Sequence, residues 1–514
     1  MTITVTNLDL EKTSVARCAR RSPFRSWPAW LYFGVFLVSF GTFYIFWYTN
    51  YLQDYVYSQL QLRNGSYAMS MWQNPPMKIY FKVHVFNYTN TEDFLAYRAD
   101  KLRVEEVGPY IYLETKNRVN VEVGEDTITY QDSKSYEWVG GRSEIDDKIV
   151  VPNMMMILTS SYVHKLPFVT RLSLAALSTS LNQRPFLHLN TADYFWGYDD
   201  SLFDIMKPFV NFQQDTQMEK FGLFVTKQGI NSNRITINSG TKDMKKLGRY
   251  EQINGHTSNN IWGDKRCNKI EGTDGTFFSP YLLNNRNNTL EMYSSEMCKS
   301  ISYEFTEPVT HHNILTWRYK LSPNTFEFTK EQSKCYCQKE GTSRSCPRRG
   351  LFDTTRCSNM PILLSHPHFF RAEESLMEKL DGLHPRAEEH DSYIDVHPDI
   401  AIPMAGWMKL QINVEVRKGP GQPQLGRLQN GMILPLLWID VGVDDTDFPQ
   451  NVLNMFYMVT FTLHVIEAAV QWSSLVGMVL SIGALLVCFK KHRMEHPDVG
   501  LQMNSFNSHQ LLES

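Results

Sequence analysis

Net charge is what this sequence has least of. Its 514 residues include 51 Lys and Arg against 54 Asp and Glu, a formal balance of −3. So small a field argues against a nucleic-acid partner and against a strongly acidic substrate. Catalytic fingerprints are missing too: there is no HExxH helix, no GxGxxG turn and no phosphate-cradling loop. His311, His312, His366, His368, His384, His390 and His397 fall at no strong ligand spacing, so they read as structural or surface histidines. Pairing two of the many Asp and Glu residues for acid–base work requires geometry that a sequence does not supply. Internal repeats and low-complexity segments are also absent. The chain reads as a receptor or carrier and not as an enzyme, with no catalytic residue, cofactor or metal expected.

Charge is missing locally in two long apolar stretches, Trp27–Tyr48 and Ala468–Phe489. Each is long enough, at 1.5 Å per residue, for a helix to cross a hydrocarbon core about 30 Å thick. Lys12, Arg17, Arg20, Arg21 and Arg25 precede the first, and Lys490, Lys491, His492 and Arg493 follow the second. Positive flanks face the cytosol, so residues 1–26 and 490–514 are expected as cytoplasmic tails and 49–467 as one extracellular or luminal domain. The first span reads as an uncleaved signal anchor, because no small-x-small site follows Phe46-Trp47-Tyr48.

Six of the eight cysteines, Cys267, Cys298, Cys335, Cys337, Cys346 and Cys357, cluster in that outer domain, while Cys18 and Cys488 lie at its cytosolic margins. An even number in an oxidising compartment argues for three disulfides, with 15 pairings open. Zinc on Cys335, Cys337, Cys346 and Cys357 is the rival reading. The margin cysteines are palmitoylation candidates. Glycosylation triplets begin at Asn64, Asn87 and Asn287, and all lie in the outer domain.

Along the chain, Asn50–Met71 reads as a short helix or loop. Alternation of Ile79, Phe81, Val83 and Val85 with Lys78, Tyr80, Lys82 and His84 marks a strand. Tyr110, Tyr112 and Arg118–Val123 continue it, so the first hundred outer residues are expected to be antiparallel β. From Ile149 to Leu187 the pattern changes to short apolar helices broken by Pro152, Pro167 and Pro185. No Asp or Glu occurs between Lys148 and Ala192, whereas Lys148, Lys165, Arg171 and Arg184 do. This is a basic helical patch containing Met154-Met155-Met156, a residue type that suits irregular packing or adaptable binding. Further on, Arg234–Asn238, Ile301–Phe305, Phe326–Phe328, Leu410–Val416 and Met432–Ile439 are strand candidates, and Glu373–Leu380 a helix candidate.

Several longer motifs accompany this layout: Asn74-Pro-Pro, Glu106-Val-Gly-Pro-Tyr110, Trp196-Gly-Tyr198, Gly272-Thr-Asp-Gly275, Phe369-Phe370 with Ala372, Gly382-Leu-His-Pro385, His390-Asp-Ser-Tyr-Ile-Asp395, Gln411-Ile-Asn-Val414 and Leu437-Trp-Ile-Asp440. With the two spans and the clustered cysteines, they make the chain resemble the class B scavenger receptor family over nearly its whole length. The resemblance implies an α+β membrane protein. Its antiparallel β-barrel-like outer domain carries an apical helical bundle (149–188) and a disulfide-rich region (267–357), and an apolar tunnel pierces it.

It further implies the pairs Cys267–Cys335, Cys298–Cys357 and Cys337–Cys346, and a ligand-receiving role for Lys148, Lys165, Arg171 and Arg184. The expected ligand is an anionic lipid or a lipoprotein, with a fatty acid, sterol or carotenoid as cargo for the bilayer. Adhesion or clearance of microbes or apoptotic cells, and carriage of a soluble hydrolase switched by His164 or His188, are alternative roles with protein or cell-surface ligands. Leu511-Leu512 resembles a dileucine sorting signal, but Asn507 stands where an acidic residue is usual. The plasma membrane is therefore expected, with an endosomal or lysosomal membrane as the alternative.

Overall fold

Alternating burial along the chain builds most of the molecule. In a strand successive side chains face opposite sides, so Phe81, Val83 and Val85 bury together while Lys82 and His84 turn the other way. The computed structural model describes residues 27–163, 173, 176–177, 179–214, 218–340, 343–418 and 425–495. These fall into two units, 55–460 and the pair 27–54 with 461–495.

The larger unit is organised on thirteen principal strands. They are β1 (Ile79–Tyr88), β2 (Leu102–Val123), β3 (Thr127–Gly141), β4 (Lys148–Pro152), β5 (Phe186–Asn190), β6 (Ile235–Asn238), β7 (Tyr250–Ile253), β8 (Leu290–Ser294), β9 (Lys299–His311), β10 (Ile314–Leu321), β11 (Tyr393–Val396), β12 (Pro403–Glu415) and β13 (Ile433–Val443). Eleven of them form one antiparallel path, β7-β6-β3-β2-β1-β13-β12-β11-β10-β9-β8. Four short segments join it, among them Leu380–Asp381, which pairs in parallel with β2.

The edges of the path are tied through the motif Gly272-Thr273. Tyr250 N–H of β7 donates to Gly272 O at 2.8 Å, and Thr273 exchanges bonds with Glu291 and Tyr293 of β8 at 3.0 and 2.9 Å. The sheet is thereby nearly closed, which leaves its edges no free ladder groups at that point. Gly272 is required there: its φ is +98°, and a Cβ would fall 2.7 Å from Glu291 O.

The helical region differs from the sequence reading at both ends. Lys148–Pro152 and Phe186–Asn190 are not helices but a two-stranded antiparallel ladder, β4 with β5. Their β-branched and aromatic residues satisfy one another's backbone groups across the ladder. Between them lies the helix Met154–Val163, whose Met154–Ser160 are all buried. The three methionines are core residues, packed with Phe86, Tyr88, Leu202, Leu434 and Leu436. Glu373–Leu380 is likewise not an α-helix, holding one 3-10 turn over Glu374–Leu376, and Phe326–Phe328 forms no strand.

In the second unit, the helix α1 (Trp27–Tyr48) meets the long helix that ends the described chain, Leu463–Glu495. Trp47 stacks edge-on to Trp472 at 5.9 Å and donates to Gln471 O, while Gln471 Nε2 donates back to Phe46 O at 2.8 Å. A Cβ at Gly477 would approach Ser39 Oγ at 2.7 Å, so a small residue lets the helices close up. Exposed Val38, Val479, Leu480 and Leu486 coat the outside, as in helices whose solvent is lipid. The second helix extends beyond the apolar stretch Ala468–Phe489 at both ends.

Candidate functional site

Ladder register assembles a charged row on one sheet face. Lys82 of β1 and Lys409 of β12 both lie opposite Asp440 of β13. Two residues along, His84 and Gln411 flank Trp438 in the same way. Continuing along that face, Phe86, Tyr88, Leu436, Leu434 and Val414 are buried in the apolar cluster that also holds Met154–Leu158. One surface thus grades from charge through histidine to hydrocarbon.

Glu106 is the hub of the middle zone. Its Oε1 lies 2.7 Å from His84 Nδ1 and its Oε2 lies 2.6 Å from His368 Nε2. The His384 backbone N–H donates to His368 Nδ1 at 3.1 Å, which leaves Nε2 to carry the proton that Glu106 receives. His368 stacks on His390 at 4.5 Å, and His84 stacks on Trp438 at 3.7 Å. Gln411 Oε1 accepts from His368 N–H at 2.6 Å. Gly382, with φ +95°, turns the chain toward His384 where a side chain would collide with Val104 O.

Burial alone would raise the Glu106 carboxyl, but its hydrogen bonds with His368 and His84 win and hold it well below the usual range. Burial lowers His390 to about 4 and His366 to about 3. It raises Asp440 to about 6 against the opposing charges of Lys409, Lys82 and His84. Trp438 Nε1 and Asp440 Oδ1 are buried with no hydrogen-bond partner among the described residues.

These residues were legible only as motif members. Glu106, His384, His390 and Gln411 each sit in a different stretch of the quoted pattern, Trp438 and Asp440 share one, and His368 stands just before Phe369-Phe370. The sequence reading treated the histidines as structural, and nothing in their spacing signals that they converge.

Of the four cations chosen from the sequence, the two among the described residues, Lys148 and Arg184, are not brought together. Lys148 and Arg184 are both exposed, Lys148 at one end of the β4–β5 ladder and Arg184 beyond the other, about 20 Å apart at 3.3 Å per residue. Lys165, Arg171 and His164 lie outside the described residues, as do Cys18, Asn507, Leu511 and Leu512. His188 is exposed on β5. Cys267 pairs with Cys335, Cys298 with Cys357 and Cys337 with Cys346, which distributes all four sulfurs weighed for zinc among disulfides. Cys488 is a free thiol on the long terminal helix. Asn64 and Asn287 are exposed, whereas Asn87 is half-buried on β1 with Oδ1 accepting from Val150 N–H at 2.8 Å.

A nearly closed antiparallel sheet with helices, flanked by two terminal apolar spans, defines an α+β membrane protein of two-span topology. The chain belongs to the CD36 family, whose model matches residues 32–489. It is 30% identical to scavenger receptor class B member 1 of Sus scrofa over 437 residues, 84% of each chain. It is 29% identical to lysosome membrane protein 2 of Mus musculus over 427 residues, covering 79% of this chain and 84% of the relative.

Proposed function

We propose that the chain is a scavenger-type receptor that takes up anionic lipid or lipoprotein lipid and delivers it to the bilayer along an apolar path inside the outer domain. The supporting observation is the sheet face that grades from Lys82, Asp440 and Lys409 to the buried cluster of Phe86, Leu434 and Met154. An amphiphile matches that gradient, since a headgroup is oriented by charge while each buried methylene contributes about 0.8 kcal/mol. Lys165 and Arg171 supply the outer capture charge, and the plasma membrane is the site of action. The relative named lysosome membrane protein 2 favours a second reading, residence in an endosomal or lysosomal membrane.

The test is uptake of a fluorescent fatty acid by liposomes holding the correctly oriented chain, beside a Lys165→Gln/Arg171→Gln variant. Saturable, protein-dependent uptake that weakens in the variant is expected. No uptake by folded protein removes the transport reading and leaves a clearance receptor or protein carrier.

A further inference from the structure

Lys299 opens β9 inside the disulfide-rich region and is only 4% exposed. A buried ammonium normally has a carboxylate partner, because stripping its water is costly. Among the described residues Lys299 has none. Its Nζ reaches one backbone carbonyl, Thr325 O, at 3.4 Å, and lies 4.6 and 4.8 Å from the ring centres of Tyr336 and Phe352. Beside it is a cavity of about 380 Å³ walled by Cys267, Cys335, Ser300 and Gln332. Thr325 and Tyr336, both contacts of the amine, also line this cavity, so the nitrogen end of the side chain borders it.

We infer that Lys299 is a covalent capture site for small aldehydes that enter this cavity. The unprotonated amine attacks the carbonyl carbon to give a carbinolamine. Loss of water, which carries off the carbonyl oxygen and the two amine hydrogens, leaves an imine. No oxidant or reductant is consumed. The site stands apart from lipid uptake and does not depend on it.

Three features of the place favour this chemistry. Burial with no carboxylate in ion-pair contact disfavours the ammonium and so exposes the lone pair, the usual route to a nucleophilic lysine, although Glu291 acts on it through space and Glu304 and Glu331 stand on the cavity wall. Burial lowers Lys299 to about 8, with Glu291 opposing the shift. At pH 7.4 that leaves roughly a fifth of the amine neutral, against about 0.1% for an ordinary lysine. The cavity, at about 380 Å³, also accommodates a short carbonyl compound.

The experiment treats the full detergent-purified chain with butanal and cyanoborohydride, which reduces the imine to a stable secondary amine, and reads each lysine by peptide mass spectrometry. At pH 7.4 Lys299 is expected to alkylate roughly tenfold faster than the exposed Lys265 and Lys379, part of its advantage in neutral amine being offset by lower intrinsic nucleophilicity. Its rate should level off above about pH 8, while ordinary exposed lysines keep gaining to above 10. A dextran-linked aldehyde should label Lys265 and Lys379 and spare Lys299. Slower labelling of Lys299 than of both exposed lysines, a pH profile that tracks theirs, or equal labelling by the bulky reagent each overturns the assignment.

Discussion

Arg118 shows how a charge is kept in the interior. Its side chain is fully buried on β2, donates to Trp72 O, to Asp274 at 2.5 Å and to Thr276 Oγ1 at 2.8 Å, and lies 4.6 Å from the Trp72 ring. Burial would raise the Asp274 carboxyl, yet Arg118 and Lys116 hold it well below the usual range. Arg118→Met leaves that carboxylate with Lys116 at 3.4 Å as its remaining cation. A loss of about 3–5 kcal/mol is expected, read as a lowered unfolding temperature of the purified chain.

The histidine zone predicts a pH dependence. His390 is depressed to about 4, so the unfolded chain binds the extra proton first, and its contribution to stability is present above pH 6.5 and lost as pH falls toward 4. Asp440 is raised to about 6, so the folded chain binds its proton first, and stability from this group falls as pH rises from 4 to 6. His390→Asn, which keeps an acceptor for Arg386 N–H, should flatten the acid limb of an unfolding-temperature profile. Asp440→Asn should raise the unfolding temperature at pH 7.4 and leave it nearly unchanged at pH 4.

At the scale of elements, the three disulfides close loops of very different length. Cys267–Cys335 and Cys298–Cys357 span 68 and 59 residues, and Cys337–Cys346 spans 9. Loop-closure entropy puts the long ones at about 4 kcal/mol each and the short one at about 2.5. Removing Cys298 and Cys357 together should therefore lower the unfolding temperature more than removing Cys337 and Cys346 together; equal losses would show that strain or residual unfolded structure dominates.

Elements with strict alternation were legible in the sequence, notably β1 and β12, since period-2 burial is a local property. The apolar runs at Ile149–Val151 and Phe186–Leu187 were not. A short buried strand and a buried helix segment have the same periodicity, and only the partner strand decides between them. The same ambiguity hid the structural role of the methionines, which look adaptable in isolation and are enclosed once β13 and β1 pack over them.

At the scale of the molecule, both termini are expected on one side of the membrane. Epitope tags on residues 1–26 and 496–514 should react with antibody only after cells are permeabilised, and surface reaction of either tag contradicts the two-span orientation. Glycopeptide mass spectrometry should find glycan at Asn64 and Asn287. Asn87 should be unmodified, because its half-buried amide is bonded to β4.

What the sequence determined alone was whatever depends on neighbours in the chain: two uncharged spans, the compartment and cysteine content of the region between them, and the alternating strands. Hydrophobic length and period carry that information locally. The tertiary structure decided what lies between distant residues. It closed the sheet through Gly272 and Thr273, drew Glu106, His368 and His390 together, and left Lys299 buried with no ion-paired carboxylate among the described residues. These depend on strand register and on which groups lose water together, and neither is written in the order of residues along one segment.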